Sequence, residues 1–135
     1  MEYFNNLGKA YQVELLELLK EELQHNCVES DTIQERYGFV SDLHNKLWNE
    51  EYYFVYTSQC NDFINSQFNN AFQAIETVKD WEERTFGTFE TEINAFNIAN
   101  MLIYIITDDL IYNVLSIDEN TTAKEILTKV NNLIQ

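Results

Sequence analysis

The stretch INAFNIANMLIYIITDDL, residues 93–110, decides how the rest of the chain is read. Ile93, Phe96, Ala99, Leu102, Ile103, Ile106 and Leu110 recur at steps of three and four, the spacing of one helical face. Ile98, Met101, Tyr104 and Ile105 spread apolar character around much of the remaining circumference, and a helix apolar on nearly every side belongs inside a bundle. The pattern predicts one long central helix over residues 90–115.

Working outward, residues 11–25 place Val13, Leu15, Leu16, Leu19 and Leu23 at helical spacing. Residues 31–48 do the same with Ile33, Tyr37, Val40, His44 and Leu47, with Gly38 as a kink and Ser41 as a cap for a second half. The run Tyr52-Tyr53-Phe54-Val55-Tyr56 has the composition of a strand. Continued through Cys60, Phe63, Ile64 and Phe68, however, its steps become helical, so a helix is expected and a hairpin at 50–57 is the alternative. Ala71, Phe72, Ile75, Val78 and Trp81 extend a further helix to about Arg84, with a break at residues 85–88. The last helix starts near Thr121, with Thr122 and Glu125 in capping-box spacing, and buries Ile126, Leu127, Val130 and Leu133. No proline and only three glycines punctuate the chain, which favours long helices over strands. The reading is all-α: a compact single domain over residues 1–135, a bundle of about five to seven helices.

Charge narrows the function classes. The 8 Lys and Arg against 23 Asp and Glu leave a net charge of −15, yet 45% of residues are hydrophobic and 14% aromatic, which excludes a solvating disordered tail. Such a surface repels phosphate backbones and anionic membranes and attracts basic proteins. The longest near-apolar run, residues 98–106, falls short of the roughly 20 residues of a membrane span. Residues 1–6 have neither a basic leader nor an apolar core of a signal, so a soluble cytoplasmic protein is expected. Asn, Ile, Tyr and Phe are abundant, as in AT-rich coding, but Lys occurs only six times, so base composition does not account for the acid excess.

Catalytic and cofactor patterns fail on spacing. Gly8, Gly38 and Gly87 are too far apart for any phosphate-cradling loop. Glu22 and His25 make a single Glu-x-x-His step where a di-iron bundle needs two, and Ser41 stands three before His44. A calcium loop begun at Asp118 has Ala123 at the turn-glycine position and Lys129 at the bidentate-glutamate position. Cys27, near His25, lacks an orienting third group, and Cys27 and Cys60 lack CxxC spacing. The expectation is a non-enzyme with no catalytic residue, no metal and no cofactor.

The acids instead form rows. Glu14, Glu17 and Glu21 share one helical face, Asp31, Glu35 and Asp42 a second, and Glu76, Asp80 and Glu83 a third. A single row is ordinarily a solvated face, but like charges at this spacing cost a few tenths of a kcal/mol per pair. Fifteen net charges equal those on about 25 Å of duplex DNA, while a compact chain of this length spans roughly 35 Å. The linear charge density therefore approaches that of DNA. These nine carboxylates are the candidate partner-binding residues.

The segments VSDLHNKLW (residues 40–48) and EEYYFVYT (residues 50–57), with DDLIY (residues 108–112) as a looser match, resemble small acidic phage proteins of the overcome-classical-restriction type. The resemblance implies an all-helical DNA mimic that presents carboxylates in place of phosphates and occupies the DNA-binding site of a host defence protein, a restriction enzyme or a CRISPR effector. It also implies a homodimer. The competing expectation is a helical adaptor that binds its partner through Tyr52 to Tyr56, with the acids serving solubility.

Overall fold

The structure, a computed structural model, describes residues 3–32, 57–68 and 70–135. Five α-helices account for most of them: α1 (Lys9–Asn26), α2 (Thr57–Gln67), α3 (Ala71–Phe86), α4 (Ala95–Asp109) and α5 (Ala123–Ile134). A single π-helical turn, Leu110–Val114, continues α4. Helix α4 packs against both α2 and α3, and α1 packs against α5. The domain is all-α, as its periodicity implies.

Helix α4 is the centre. Ile98, Ala99, Leu102, Ile103, Ile105 and Ile106 are all buried, and each of the leucine and isoleucine side chains stabilises the fold by about 1.5–3 kcal/mol through removal from water. Two of its buried polar residues bond back to the preceding turn: Asn100 Nδ2 donates to the Phe96 carbonyl at 2.9 Å and Thr107 Oγ1 to the Ile103 carbonyl at 2.8 Å. Asp109, only 3% exposed, accepts from the Phe4 backbone N–H at 2.9 Å and from Asn113 Nδ2 at 2.8 Å. That bond pins buried Phe4 and the amino-terminal segment to the far end of the central helix.

The helix is shorter than its apolar pattern. The Asn94 side chain accepts the Asn97 N–H at 2.8 Å and starts the helix at Ala95, so residues 90–94 lie outside it and Ile93 is 60% exposed. At the other end the register widens, with the Leu115 N–H reaching the Leu110 carbonyl at 2.9 Å.

Caps define the neighbours too. Asn70 accepts from the Gln73 N–H to begin α3, and Gly87, at φ 85°, closes it by donating its N–H to the Glu83 carbonyl. The inward face of α3 is Ala74, Val78 and Glu82, which turns Phe72 about 120° away from its centre, and Phe72 is 69% exposed instead of joining the core. Thr122 caps α5 through the Glu125 N–H, and Ile126 and Val130 are buried below it. Residues 31 and 32 are extended rather than helical: Thr32 bridges Thr122, and the Asp31 carbonyl accepts the Ala123 N–H at 2.8 Å. Thr57 is already helical; the expected helix over residues 33–48, the aromatic run Tyr52 to Tyr56, and His44 fall outside the described residues.

Candidate functional site

Helix geometry separates the acids into two outward rows. On α1, Leu15, Leu16, Leu19 and Leu23 are buried, and Glu14, Glu17 and Glu21 stand on the opposite face, all exposed. On α3, Glu76, Asp80 and Glu83 lie within about 60° of one another and about 170° from the centre of the buried face. Glu17, Glu76 and Glu83 form no ion pair with the described residues. Glu21 faces His25 at 4.0 Å and Asp80 faces Arg84 at 3.6 Å, both exposed pairs of small energetic weight.

Of the third row only Asp31 is among the described residues, and it lies outside any helix. Asp31 is half-buried in the turn after α1, where its Oδ2 accepts the Val28 N–H at 2.9 Å. Its carboxylate serves the turn that docks against α5. Glu35 and Asp42 lie outside the described residues.

Beside the α3 row lies a cleft of about 280 Å³ lined by Tyr3, Gln73, Glu76, Thr77 and Asp80. Arg84 closes one end: its Nη2 donates to the Tyr3 hydroxyl at 2.8 Å and its Nε to the Asp80 carbonyl at 3.3 Å. Burial pushes the Tyr3 phenol above its ordinary value, against the opposing pull of Arg84.

A second constellation runs along the other flank of α3. Trp81 meets Phe86 edge-on at 5.5 Å and Tyr104 at 5.8 Å, which makes a ladder of three rings across the α3–α4 boundary. Phe86 is 66% exposed. Asp108 and exposed Tyr112 follow Tyr104 by about one and two turns along α4 and the π-helical turn. The Tyr104 phenol is pushed up by burial and then by the neighbouring Asp108 and Tyr112. The sequence puts Phe86 in a break and marks Trp81 and Tyr104 only as apolar positions of their helices, because a periodic pattern shows which residues are apolar and not how far each is covered.

Glu82 was likewise not foreseen. It is 6% exposed, accepts from Thr91 Oγ1 at 2.6 Å through Oε1, and leaves Oε2 without a hydrogen bond. This bond ties the loop after Gly87 to α3. Asp109 carried a faint signal, an acid inside an apolar helix, whereas Tyr3 carried none.

The remaining reactive side chains are arranged as follows. Among the described residues no group of three His, Cys, Asp or Glu is placed to hold a metal ion. Glu22 is buried while His25 is exposed, so the Glu-x-x-His step does not converge. Asp118 Oδ1 accepts from the Asn120 N–H at 2.8 Å and the Thr121 hydroxyl at 3.1 Å, an Asx-type turn that holds its carboxyl below the usual range. Cys60 is buried, and burial pushes its thiol up; neither cysteine is in a disulfide, and Cys27 is half-buried. No described helix is long and apolar enough to cross a membrane.

Compared with known protein families, curated proteins and solved structures, the chain matches none.

Proposed function

We propose that the protein is an inhibitor that acts as an acidic DNA mimic, occupying the DNA-binding site of a basic host protein such as a restriction enzyme or a CRISPR effector. One observation carries the reading: in a chain of net charge −15, the two acid rows on α1 and α3 both stand opposite the buried faces of their helices. Such rows repel themselves, and they present carboxylates at intervals of about 4.5–6 Å along each axis. Lys and Arg side chains that normally grip phosphates would pair with Glu14, Glu17, Glu21, Glu76, Asp80 and Glu83. Long-range attraction then speeds encounter, and competition for the same cations excludes DNA.

The test is capture of a partner from a bacterial lysate on the immobilised protein, repeated with excess duplex DNA and across a salt series. Release of the partner by DNA, with affinity falling steeply as salt rises, is the expected result. A partner that stays bound in excess DNA and at moderate salt would remove the basis for mimicry.

A further inference from the structure

Between Arg84 and Lys124 the sequence contains no Lys, Arg or His, yet it carries Glu90, Glu92, Asp108, Asp109, Asp118 and Glu119. This cation-free stretch builds the exposed end of the ring ladder: Phe86 is 66% and Tyr112 50% exposed, with Trp81 and Tyr104 half-buried between them and Asp108 beside Tyr104. Large aromatics left open to water form a surface whose burial would be favourable, and their ring faces carry partial negative charge. The rings step 5.5 Å from Phe86 to Trp81 and 5.8 Å from Trp81 to Tyr104, and Tyr112 lies about 12 Å further along the helix axis than Tyr104.

We infer that this ladder is a docking surface for an arginine-bearing segment of a partner protein, with guanidinium groups stacked on the open rings and Asp108 as their counter-charge. Charge complementarity selects the occupant. A second copy would set the same cation-free, acidic stretch against itself, and a nucleic acid strand would meet carboxylates where stacking platforms need cations. Arginine is favoured over lysine because its planar, weakly hydrated cation stacks on aromatic faces as well as pairing with a carboxylate. The inference deepens the proposed function and rests on its basic partner: the acid rows attract that partner, and the ladder grips one of its segments.

The experiment uses the full chain and synthetic peptides of about twelve residues with arginine, lysine or citrulline at every third position. Citrulline keeps the planar shape of arginine and removes the charge. Binding is followed by titration calorimetry and by amide chemical shifts. The arginine peptide is expected to bind tightest, the lysine peptide several-fold weaker and the citrulline peptide at least about tenfold weaker. Shifts should concentrate at residues 81–86 and 104–112. Phe86→Ser and Tyr112→Ser, both at exposed positions and checked for an unchanged melting curve, should each weaken the arginine peptide several-fold, and Gln24→Ala on the exposed face of α1 should change it less than about twofold. Equal binding of the arginine and citrulline peptides, shifts centred on α1, or full affinity in both serine variants would overturn the inference. Because no DNA enters this titration, its outcome is separate from the DNA-competition test. A ladder that binds arginine while DNA fails to displace the lysate partner would leave the docking surface standing and the mimicry reading refuted.

Discussion

Reversing one carboxylate of the α3 row, Glu83→Lys, should make the free protein more stable while weakening its hold on a basic partner. Glu83 lies in the last turn of α3, where its carbonyl accepts the Gly87 N–H at 2.9 Å, so its carboxylate sits at the negative end of the helix dipole. An anion there costs about 0.3–1 kcal/mol, and a cation gains a similar amount. Asp80, three residues earlier, changes from a like to an opposite neighbour, worth about 0.4–1 kcal/mol in total. Lys79, four residues earlier, changes from an opposite to a like neighbour and takes back about 0.4–1 kcal/mol in total, which leaves the dipole as the net effect. The balance is a gain of about 1 kcal/mol. For 135 residues, an unfolding entropy of about 2.1 cal/mol/K per residue converts this to a rise in Tm of about 3–4 °C. Thermal unfolding followed by circular dichroism in low salt measures it directly. The same pair of proteins at about 0.5 M salt, where the screening length is near 4 Å, should differ by less than half as much. Capture of the lysate partner by the variant should drop in parallel. A lower Tm for Glu83→Lys, or a difference that persists in high salt, would show that Glu83 makes a net favourable contact, and the row would no longer be held at a cost to the fold.

Asp109→Ala leaves the buried Phe4 N–H without its acceptor and should cost about 2–3 kcal/mol, a fall in Tm of roughly 7–10 °C, with faster exchange of the Phe4 amide. Glu82→Met, of similar volume, removes a carboxylate whose Oε2 has no hydrogen bond and should be neutral or stabilising by about 1 kcal/mol in urea denaturation, despite the lost Thr91 contact. The stability-pH profile should have a maximum near about pH 5. From neutral pH down to it, protonation relieves net repulsion. Below the ordinary carboxylate value of 3.8, stability falls, because the depressed Asp118 carboxyl contributes only while ionised and that contribution is lost as pH drops through its folded value. In alkali the sign reverses: Tyr3 and Tyr104 are raised above 10.0, so the stability tied to their neutral phenols is present below pH 10 and is lost as pH climbs through the folded values. Equilibrium unfolding at intervals from pH 3 to 11 would show both limbs, and a flat acid limb in Asp118→Asn would confirm its source.

Local chemistry was legible wherever it decided the structure. The recurrence of Leu15, Leu16, Leu19 and Leu23, the isoleucines of α4, and the Thr122–Glu125 cap each depend on residues within about one or two helical turns, and each appears in the fold as read. The outward placement of Glu14, Glu17, Glu21, Glu76, Asp80 and Glu83 follows from the same periodicity, because a charge opposite an apolar stripe has only solvent to face.

The tertiary structure decided what periodicity does not encode. Asn94, not the apolar pattern, set the start of α4, because its side chain takes an N–H that would otherwise be left open. Phe72 is apolar yet exposed, since the packing of α3 on α4 chose Ala74, Val78 and Glu82 for the inner face, and Ile93 is exposed because it precedes the Asn94 cap. Asp31 became a turn residue through contacts with α5, some ninety positions away. Phe4 reached Asp109 across 105 positions and Tyr3 reached Arg84 across 81, pairings that exist only once the chain has closed on itself. By itself the sequence determined helices, core and an acid surface, since these follow from spacing and charge. Which acids are buried, which aromatics stay open and where they meet are set by how the helices pack.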